Sequence, residues 1–162
     1  MGSGCKMVCP DCGYGFDRSE GVGFLFPMEY KKAVEKAKAG KLGKKIKLFF
    51  EEHADGAIDA SYVTLCCDDC GFLKSGMDLT MYVPKNGMQP PKGKKMWSIP
   101  CPGEGIDYVD NSDLETYYVE FMRYPHKCGK CRGKMHIVQQ EEELKCPKCK
   151  AAMEEDQFIL WD

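Results

Sequence analysis

The stretch that decides the fold runs from Cys128 to Cys149. It reads Cys-Gly-Lys-Cys at 128–131, then fourteen connecting residues, then Cys-Pro-Lys-Cys at 146–149. A Cys-x-x-Cys turn aims two thiolates at one point, and two such turns supply the tetrahedral four-sulfur set that structural zinc prefers. The connecting residues predict a β-hairpin, with 134–138 as one strand, 139–142 as the turn and 143–145 as the returning strand. We therefore expect a four-cysteine metal site in a small β module.

A second pair of such turns lies towards the N-terminus. Cys-Pro-Asp-Cys-Gly-Tyr at 9–14 and Cys-Asp-Asp-Cys-Gly-Phe at 67–72 share one pattern, with 54 residues between Cys12 and Cys67. From this likeness and from chain order, we expect these two turns to form one site and the 128–149 stretch to form the other. The sequence leaves crossed pairing open. The predicted metal ligands are Cys9, Cys12, Cys67, Cys70, Cys128, Cys131, Cys146 and Cys149.

Three further cysteines complete the eleven in the chain: Cys5, Cys66 and Cys101. Cys66 is an alternative to Cys67 as a ligand, but the two-residue spacing to Cys70 favours Cys67. Cys5 and Cys101 are expected to be small core residues. The odd count, the absence of a recognisable export signal and the four Cys-x-x-Cys turns favour metal binding over disulfides, and so predict a cytoplasmic protein. No apolar run is long enough to predict a membrane span.

The residues between the first two turns predict helices. Apolar residues recur at helical spacing over 28–39 and 41–53, Pro27 suits a first helical turn, and Gly40 suits a helix end. These helices predict an αα-hairpin at about 27–55. Strands are expected at 60–65, 79–83 and 157–161, the last closing the C-terminal ribbon. Residues 114–124 fit either a strand or a short helix.

The predicted fold class is α+β, with two small metal-holding β modules, the first of them interrupted by the αα-hairpin. The expected domains are 5–83 and 98–162. Residues 84–97 are rich in Pro, Gly and Lys, and so predict a flexible connector.

The four turns resemble those of the zinc-ribbon, or rubredoxin-like, superfamily, and the whole chain resembles small, uncharacterised bacterial double zinc-ribbon proteins. The resemblance implies two zinc ribbons, each with one structural Zn²⁺. Cys-Pro-Asp-Cys-Gly-Tyr-Gly-Phe-Asp at 9–17 also resembles the first rubredoxin knuckle. That second likeness implies iron at one site and one-electron transfer.

Basic residues form two clusters. The helical segment carries eight lysines: Lys31, Lys32, Lys36, Lys38, Lys41, Lys44, Lys45 and Lys47. We expect them to form a solvated face. The second cluster surrounds the C-terminal turns, where candidate nucleic-acid contacts are Lys130, Arg132, Lys134 and Lys148. The net charge of −2 argues against non-specific nucleic-acid binding as the main activity.

The function predicted from these patterns is non-catalytic. Four thiolates close a zinc coordination shell, and no hydrolase, zinc-deaminase or phosphate-loop motif is present. His126 and His136 flank the second predicted site as possible substitute ligands, whereas His53 suits a helix C-terminus. We expect an adaptor or regulator that binds another macromolecule, in the first place a protein. Nucleic-acid binding and rubredoxin-like electron transfer are the alternatives.

Overall fold

The computed structural model describes residues 2–23, 25–90, 107–139 and 143–160 of the 162-residue chain. Three helices and nine strands lie in these ranges. In chain order they are β1 (Ser3–Val8), β2 (Gly15–Glu20), α1 (Phe26–Lys38), α2 (Lys44–Glu52), β3 (Ala57–Ile58), β4 (Tyr62–Cys67), β5 (Leu73–Met77), β6 (Met81–Pro84), α3 (Asn111–Tyr117), β7 (Tyr118–Met122), β8 (Met135–Ile137) and β9 (Glu154–Leu160). None of the helices in these ranges combines the length and apolar character needed to cross a bilayer.

The chain forms two compact units, each built from separate stretches. The cysteine unit comprises Met1–Phe24, Ser61–Asp78 and Pro125–Asp162, and the helical unit comprises Leu25–Ala60 and Leu79–Tyr124. This division differs from the consecutive one expected at 5–83 and 98–162. Residues 91–97 of the expected connector lie outside the described residues.

The cysteine unit contains two three-stranded antiparallel sheets, ordered β2-β1-β9 and β5-β4-β8. In the first, the C-terminal strand β9 lies beside β1, with Cys5 opposite Phe158. In the second, β8 lies beside β4, with Leu65 opposite Ile137. The hairpin predicted between 134–138 and 143–145 is therefore wrong, because β8 forms its ladder with β4. The strand predicted at 157–161 is found as part of β9. It pairs with β1 in the sheet β2-β1-β9, and so does not close a C-terminal ribbon.

Two small apolar clusters stabilise the cysteine unit, and both contain predicted ligands. One consists of Cys5, Met7, Cys9, Leu73, Val138, Leu144, Cys146 and Met153. The other consists of Leu65, Cys67, Cys128 and Met135. Cysteine thiols make up a large part of each cluster, so little apolar area remains to stabilise this unit. We therefore expect its stability to depend on a cross-link that joins the sulfurs.

The helical unit begins with α1 and α2, close to their predicted bounds. Pro27 lies in the first turn of α1. The helix ends at Lys38, and Gly40, two residues further on, has a φ of +76°, the left-handed conformation that glycine adopts without strain. The amide of Gly40 donates to the carbonyl of Ala37, and that of Lys41 donates to Lys36. This pair of bonds satisfies carbonyls at the end of α1, so the sequence signal for a helix end is confirmed.

The same unit contains a third sheet, ordered β3-β6-β7. The ambiguous stretch 114–124 turns out to contain both predicted forms, since α3 changes directly into β7 at Tyr118. The start of α3 is set by Asp110, whose side chain accepts a hydrogen bond from the amide of Asp113 at 3.0 Å. Leu114 and Tyr118 then pack on Ala57 in a buried cluster.

Candidate metal centres

The four Cys-x-x-Cys turns share one backbone geometry, and we call each of them a knuckle. In the first, the amide of Cys9 donates to the carbonyl of Tyr14 (2.8 Å), and the amide of Gly13 donates back to the carbonyl of Cys9 (3.0 Å). The equivalent two bonds recur in the knuckles that begin at Cys67, Cys128 and Cys146. The residue after the second cysteine has a positive φ in every knuckle: Gly13 +70°, Gly71 +69°, Arg132 +63° and Lys150 +68°.

The knuckles pair in a nested order. Site 1 is the group Cys9, Cys12, Cys146 and Cys149, and site 2 is the group Cys67, Cys70, Cys128 and Cys131. All sulfurs of a group lie within 4.8 Å of one another. The predicted pairing of neighbouring knuckles is therefore wrong. The strand order explains it, because β9 next to β1 leads the last knuckle to the first, and β8 next to β4 leads the third knuckle to the second.

This pairing also removes the ribbon that the helices were expected to interrupt. Helices α1 and α2 lie between the first and second knuckles in sequence, but those two knuckles belong to different sites. The predicted helices are found; the predicted ribbon around them is not.

The sulfur spacings fit a tetrahedral metal ion. In site 1, the Sγ atom of Cys149 lies 3.4 Å from that of Cys9 and 3.7 Å from that of Cys12. In site 2, the Cys67–Cys131 and Cys70–Cys128 sulfur pairs are 3.4 and 3.7 Å apart. A Zn–S bond of about 2.3 Å gives a tetrahedral S···S edge of about 3.8 Å, whereas a disulfide requires about 2.05 Å. The described cysteines are all free thiols, so the donor set fits Zn²⁺ in both sites.

Burial divides the cysteines of each knuckle. The first cysteine is almost fully buried in all four, whereas Cys12, Cys131 and Cys149 are exposed and Cys70 is half-buried. Backbone amides also reach the sulfurs: Lys130 N donates to Cys128 Sγ, and Lys148 N donates to Cys146 Sγ, both at 3.4 Å. Such donors favour the thiolate, which is the form that binds metal.

The hydrogen bonds and burial of the cysteines affect the pKa values of their thiols. Amide donors from Cys131 and Lys130 lower the pKa of Cys128 to about 6. Desolvation raises the pKa of Cys146, but the amides of Cys149 and Lys148 outweigh it and lower this pKa to about 6. The amides of Gly133 and Ala151 lower the pKa of Cys131 and of Cys149, respectively, but the neighbouring thiols and desolvation outweigh them and raise both pKa values to about 12. One thiolate thus forms readily in each site at neutral pH, and a metal ion must displace the later protons.

Opposite charges meet at both sites. The first knuckle carries Asp11 and faces the last knuckle with Lys148; the second carries Asp68 and Asp69 and faces the third with Lys130. Lys130 Nζ lies 4.3 Å from the centroid of the Phe72 ring, and Lys148 Nζ lies 5.6 Å from that of Tyr14. Each of these lysines thus contacts the aromatic residue of the opposite knuckle. Pairing neighbouring knuckles would instead bring like charges together, and this signal was present in the sequence.

The candidate nucleic-acid contacts are all exposed: Lys130, Arg132, Lys134 and Lys148. Lys130 and Lys148 also make the aromatic contacts described above. The cysteine unit as a whole has more acidic than basic side chains.

The histidines do not belong to either cluster. His126 Nε2 is hydrogen-bonded to the carbonyl oxygen of Asp78 at 2.7 Å, and desolvation lowers its pKa. His136 Nδ1 contacts the carboxylate of Asp68 at 2.5 Å. His53 follows the last residue of α2 as expected and packs against Phe49 and Phe121.

The spare cysteines also have defined places. Cys66 packs on the apolar cluster that contains Cys9, whereas its neighbour Cys67 belongs to site 2, as the spacing predicted. Cys5 is buried, with its thiol 3.5 Å from the sulfur of Met7. Cys101 lies outside the described residues.

Comparison of the chain with protein-family models, with curated proteins and with solved structures found no match in any of the three.

Proposed function

We propose that this protein is a non-catalytic zinc-binding adaptor or regulator that acts by binding another protein. The observation that carries the proposal is the gathering of eight thiols into two groups of four, each with tetrahedral spacing. A Zn²⁺ ion with four thiolates has no open position for water or substrate, so its role is structural. The bound metals would hold the knuckles in place, and the exposed knuckle surface would make the contact.

The charge distribution supports a protein partner over nucleic acid at the knuckles. Each lysine-bearing knuckle is paired with an aspartate-bearing one, so neither site presents a purely basic surface. A Zn²⁺ held by four thiolates adds further negative charge. Phosphate backbones bind best where lysine and arginine dominate locally, and mixed charge is the more usual property of a protein-binding surface.

Metal identity is the first test. The protein purified from its own host without added metal should contain two zinc ions per chain by elemental analysis. Replacement with Co²⁺ should give the visible absorption bands of tetrahedral cobalt thiolate at both sites. A stoichiometry below one, or a cobalt spectrum with oxygen ligation, contradicts closed four-thiolate sites.

Partner binding is tested by photo-crosslinking from a knuckle. Gly129 is exposed and a Cβ at this position meets no atom within 4 Å, so a benzoylphenylalanine side chain can leave the backbone there, and an unchanged zinc content verifies that site 2 is intact. The matched control places the same group at Met88, an exposed residue of the helical unit. We expect one discrete protein adduct from position 129, lost after zinc chelation. Adducts of equal yield from both positions contradict binding through the knuckles.

Electron transfer is the second candidate, favoured by the exposure of Cys12 and Cys149. Their sulfurs lie 3.7 Å apart at the surface of site 1, where a bound iron ion would exchange electrons with a redox partner. Zinc and iron both accept four thiolates. The elemental analysis therefore separates the candidates, since iron with a reversible colour change supports electron transfer and colourless protein with zinc alone excludes it.

A further inference from the structure

The helical unit has a dense basic surface that the metal sites do not involve. We call it the lysine surface; it occupies residues 36–47, from the last turn of α1 to the first turns of α2. Its six lysines are all exposed, and the twelve-residue stretch contains no acidic residue. The members are Lys36, Lys38, Lys41, Lys44, Lys45 and Lys47.

The turn between the helices brings these lysines together. Gly40 and Gly43 have φ values of +76° and +105°, which let the chain leave α1 and enter α2 within five residues. The side chain of Lys47 lies across the turn, since its Cδ atom is 3.3 Å from the position of a Cβ on Gly40. Lys47 of α2 therefore lies beside the end of α1. Lys36 and Lys41 line one groove together with Glu35, whereas Lys38 lies on another side of α1, in a groove with Phe50 and Asp55.

Neutralising contacts are few on this surface. Lys47 forms an ion pair with Glu51 (3.5 Å), and Lys38 Nζ lies 5.3 Å from the centroid of the Phe50 ring. Within the described ranges, no ion pair within 4 Å involves any of the other four lysines. Glu35 lines the same groove as Lys36 and Lys41 but forms no ion pair within 4 Å with either, so nearby carboxylates offset only part of the repulsion among these lysines.

The charges in the first turn of α2 add a further unfavourable electrostatic interaction. Its N-cap is Gly43, which makes no side-chain capping bond, and its first turn contains no acidic residue but does contain Lys44 and Lys45. The partial positive charge of a helix N-terminus favours carboxylates there and disfavours lysines. Helix stability thus does not account for this composition, whereas an external polyanion would relieve the repulsion.

We propose that the lysine surface binds the phosphate backbone of nucleic acid. This goes beyond the proposed function, because it uses a different surface and a different class of partner. Lysines act as point charges for phosphates without reading base sequence, so the binding should be electrostatic and non-specific in sequence. The knuckles carry a comparable number of basic residues, but acidic residues lie beside them, so they lack such a concentration of positive charge.

Two other polyanionic partners fit less well. Helices that bind lipid surfaces present an apolar face to the bilayer. Here the apolar residues Ile46, Phe49 and Phe50 are buried within the helical unit, and Leu48 is the large apolar side chain of α2 that is exposed. An acidic protein is disfavoured because lysine is depleted in protein interfaces relative to other surfaces.

The test uses the zinc-loaded full-length chain and a fluorescent single-stranded RNA of random sequence, with Kd measured by anisotropy over a range of salt. We expect log Kd to rise linearly with log salt. The variant Lys36→Gln/Lys41→Gln/Lys44→Gln/Lys45→Gln should bind at least about tenfold more weakly, with a salt slope lower by roughly 2 to 3. The matched control, Lys127→Gln/Arg132→Gln/Lys134→Gln/Lys145→Gln, loses the same charge at the knuckles and should change Kd less than about threefold.

Several outcomes overturn the proposal. No binding at low salt does so, and so does an equal or larger loss of affinity in the control variant.

Duplex DNA should bind through the same lysines, since the phosphate backbone is shared. Vesicles of phosphatidylcholine with phosphatidylserine, and poly-glutamate, serve as competitors. Stronger binding to either one than to RNA assigns the lysine surface to a membrane or to an acidic protein instead. Unchanged far-ultraviolet circular dichroism and zinc content in both variants exclude misfolding as the cause.

Discussion

Lys130 Nζ lies 4.3 Å from the centroid of the Phe72 ring, so a lysine of the third knuckle covers the aromatic residue that follows the second knuckle. Lys148 and Tyr14 repeat the relationship at site 1, at 5.6 Å. The two sites therefore use the same combination: four sulfurs, an acidic knuckle, a basic knuckle and a cation over a ring. Both sites repeat this combination from different segments, so the charges of the knuckles favour the same pairing as the strand ladders do.

The contact predicts a measurable coupling. Lys130→Gln and Phe72→Leu should each lower the stability of the zinc-bound protein, and the double variant should lose less than the sum. A cation–π pair that is partly exposed contributes about 0.5–1 kcal/mol. A double-mutant cycle by urea denaturation measures the coupling energy. Strict additivity of the two losses would show that the ring and the ammonium group do not interact.

The nested pairing predicts how double variants lose metal. Cys9→Ser/Cys146→Ser removes two ligands of site 1 and should leave about one zinc ion per chain. Cys128→Ser/Cys146→Ser removes one ligand from each site and should lower the affinity of both. Native mass spectrometry after mild chelation distinguishes the two results. If the 128/146 variant keeps one tightly bound zinc ion while the 9/146 variant loses both, neighbouring knuckles pair after all.

The positive φ shared by the knuckles predicts that introducing a glycine at this position stabilises the protein and that removing one destabilises it. Arg132 has a φ of +63°, a conformation that costs a non-glycine residue about 1 kcal/mol. Arg132→Gly should therefore stabilise the protein by up to about that amount, and Arg132→Ala is the control that removes the charge but keeps the strain. Gly13→Ala should destabilise the protein by a similar amount, because Gly13 has a φ of +70°. A Cβ at Gly13 would meet no atom within 4 Å, so backbone strain is the cause and not a steric clash. Equilibrium denaturation of the zinc-bound forms gives all three values, and a destabilising Arg132→Gly contradicts the reasoning.

Site 2 has a steric test with an internal control. A Cβ on Gly133 would collide with the carboxylate of Asp69 and lie 3.1 Å from Cys131 Sγ, whereas a Cβ on Gly129 would meet no atom within 4 Å. The exposed Asp69 carboxylate can swing aside, but Cys131 Sγ must shift, so Gly133→Ala should weaken zinc binding at site 2 by about threefold to tenfold. Gly129→Ala should leave affinity unchanged. Competition with a chelating dye measures both, and equal affinities argue against the close packing of Cys131 Sγ on Gly133.

Metal removal should act mainly on the cysteine unit. A structural zinc site contributes about 10–16 kcal/mol in small zinc peptides, against a net stability of about 5–15 kcal/mol for a whole domain. After chelation, we expect the amides of β1, β4 and β8 to lose protection from hydrogen exchange, whereas those of α1 and α2 keep part of theirs. Hydrogen exchange with mass spectrometry locates the change. Simultaneous loss in both units would mean that the helical unit does not keep its structure without the metals.

Local features were predictable from sequence because they depend on neighbouring residues. Pro27 and Gly40 mark the ends of α1, and the recurring apolar residues from Ile46 to Phe50 mark α2, since helix ends and helix faces are set within one or two turns. The knuckles were predictable for the same reason, as a Cys-x-x-Cys turn is a local backbone form. The stretch 114–124 was ambiguous because its aromatic residues fit a helix and a strand equally well. The capping of α3 by Asp110 and the pairing of β7 with β6 decide where each element lies.

The tertiary structure decided which knuckles meet, although the opposite charges of the paired knuckles are a sequence signal that agrees with it. Every knuckle offers the same two thiols, so spacing alone does not distinguish the possible pairings, and order along the chain favoured the wrong one. The deciding interactions are non-local: β9 pairs with β1, β8 pairs with β4, and the lysines of late knuckles lie against the aromatic residues of early ones. The sequence by itself therefore determined the ligands that we propose and the shape of each turn. The strand ladders, which join residues more than sixty positions apart, determined the two sites.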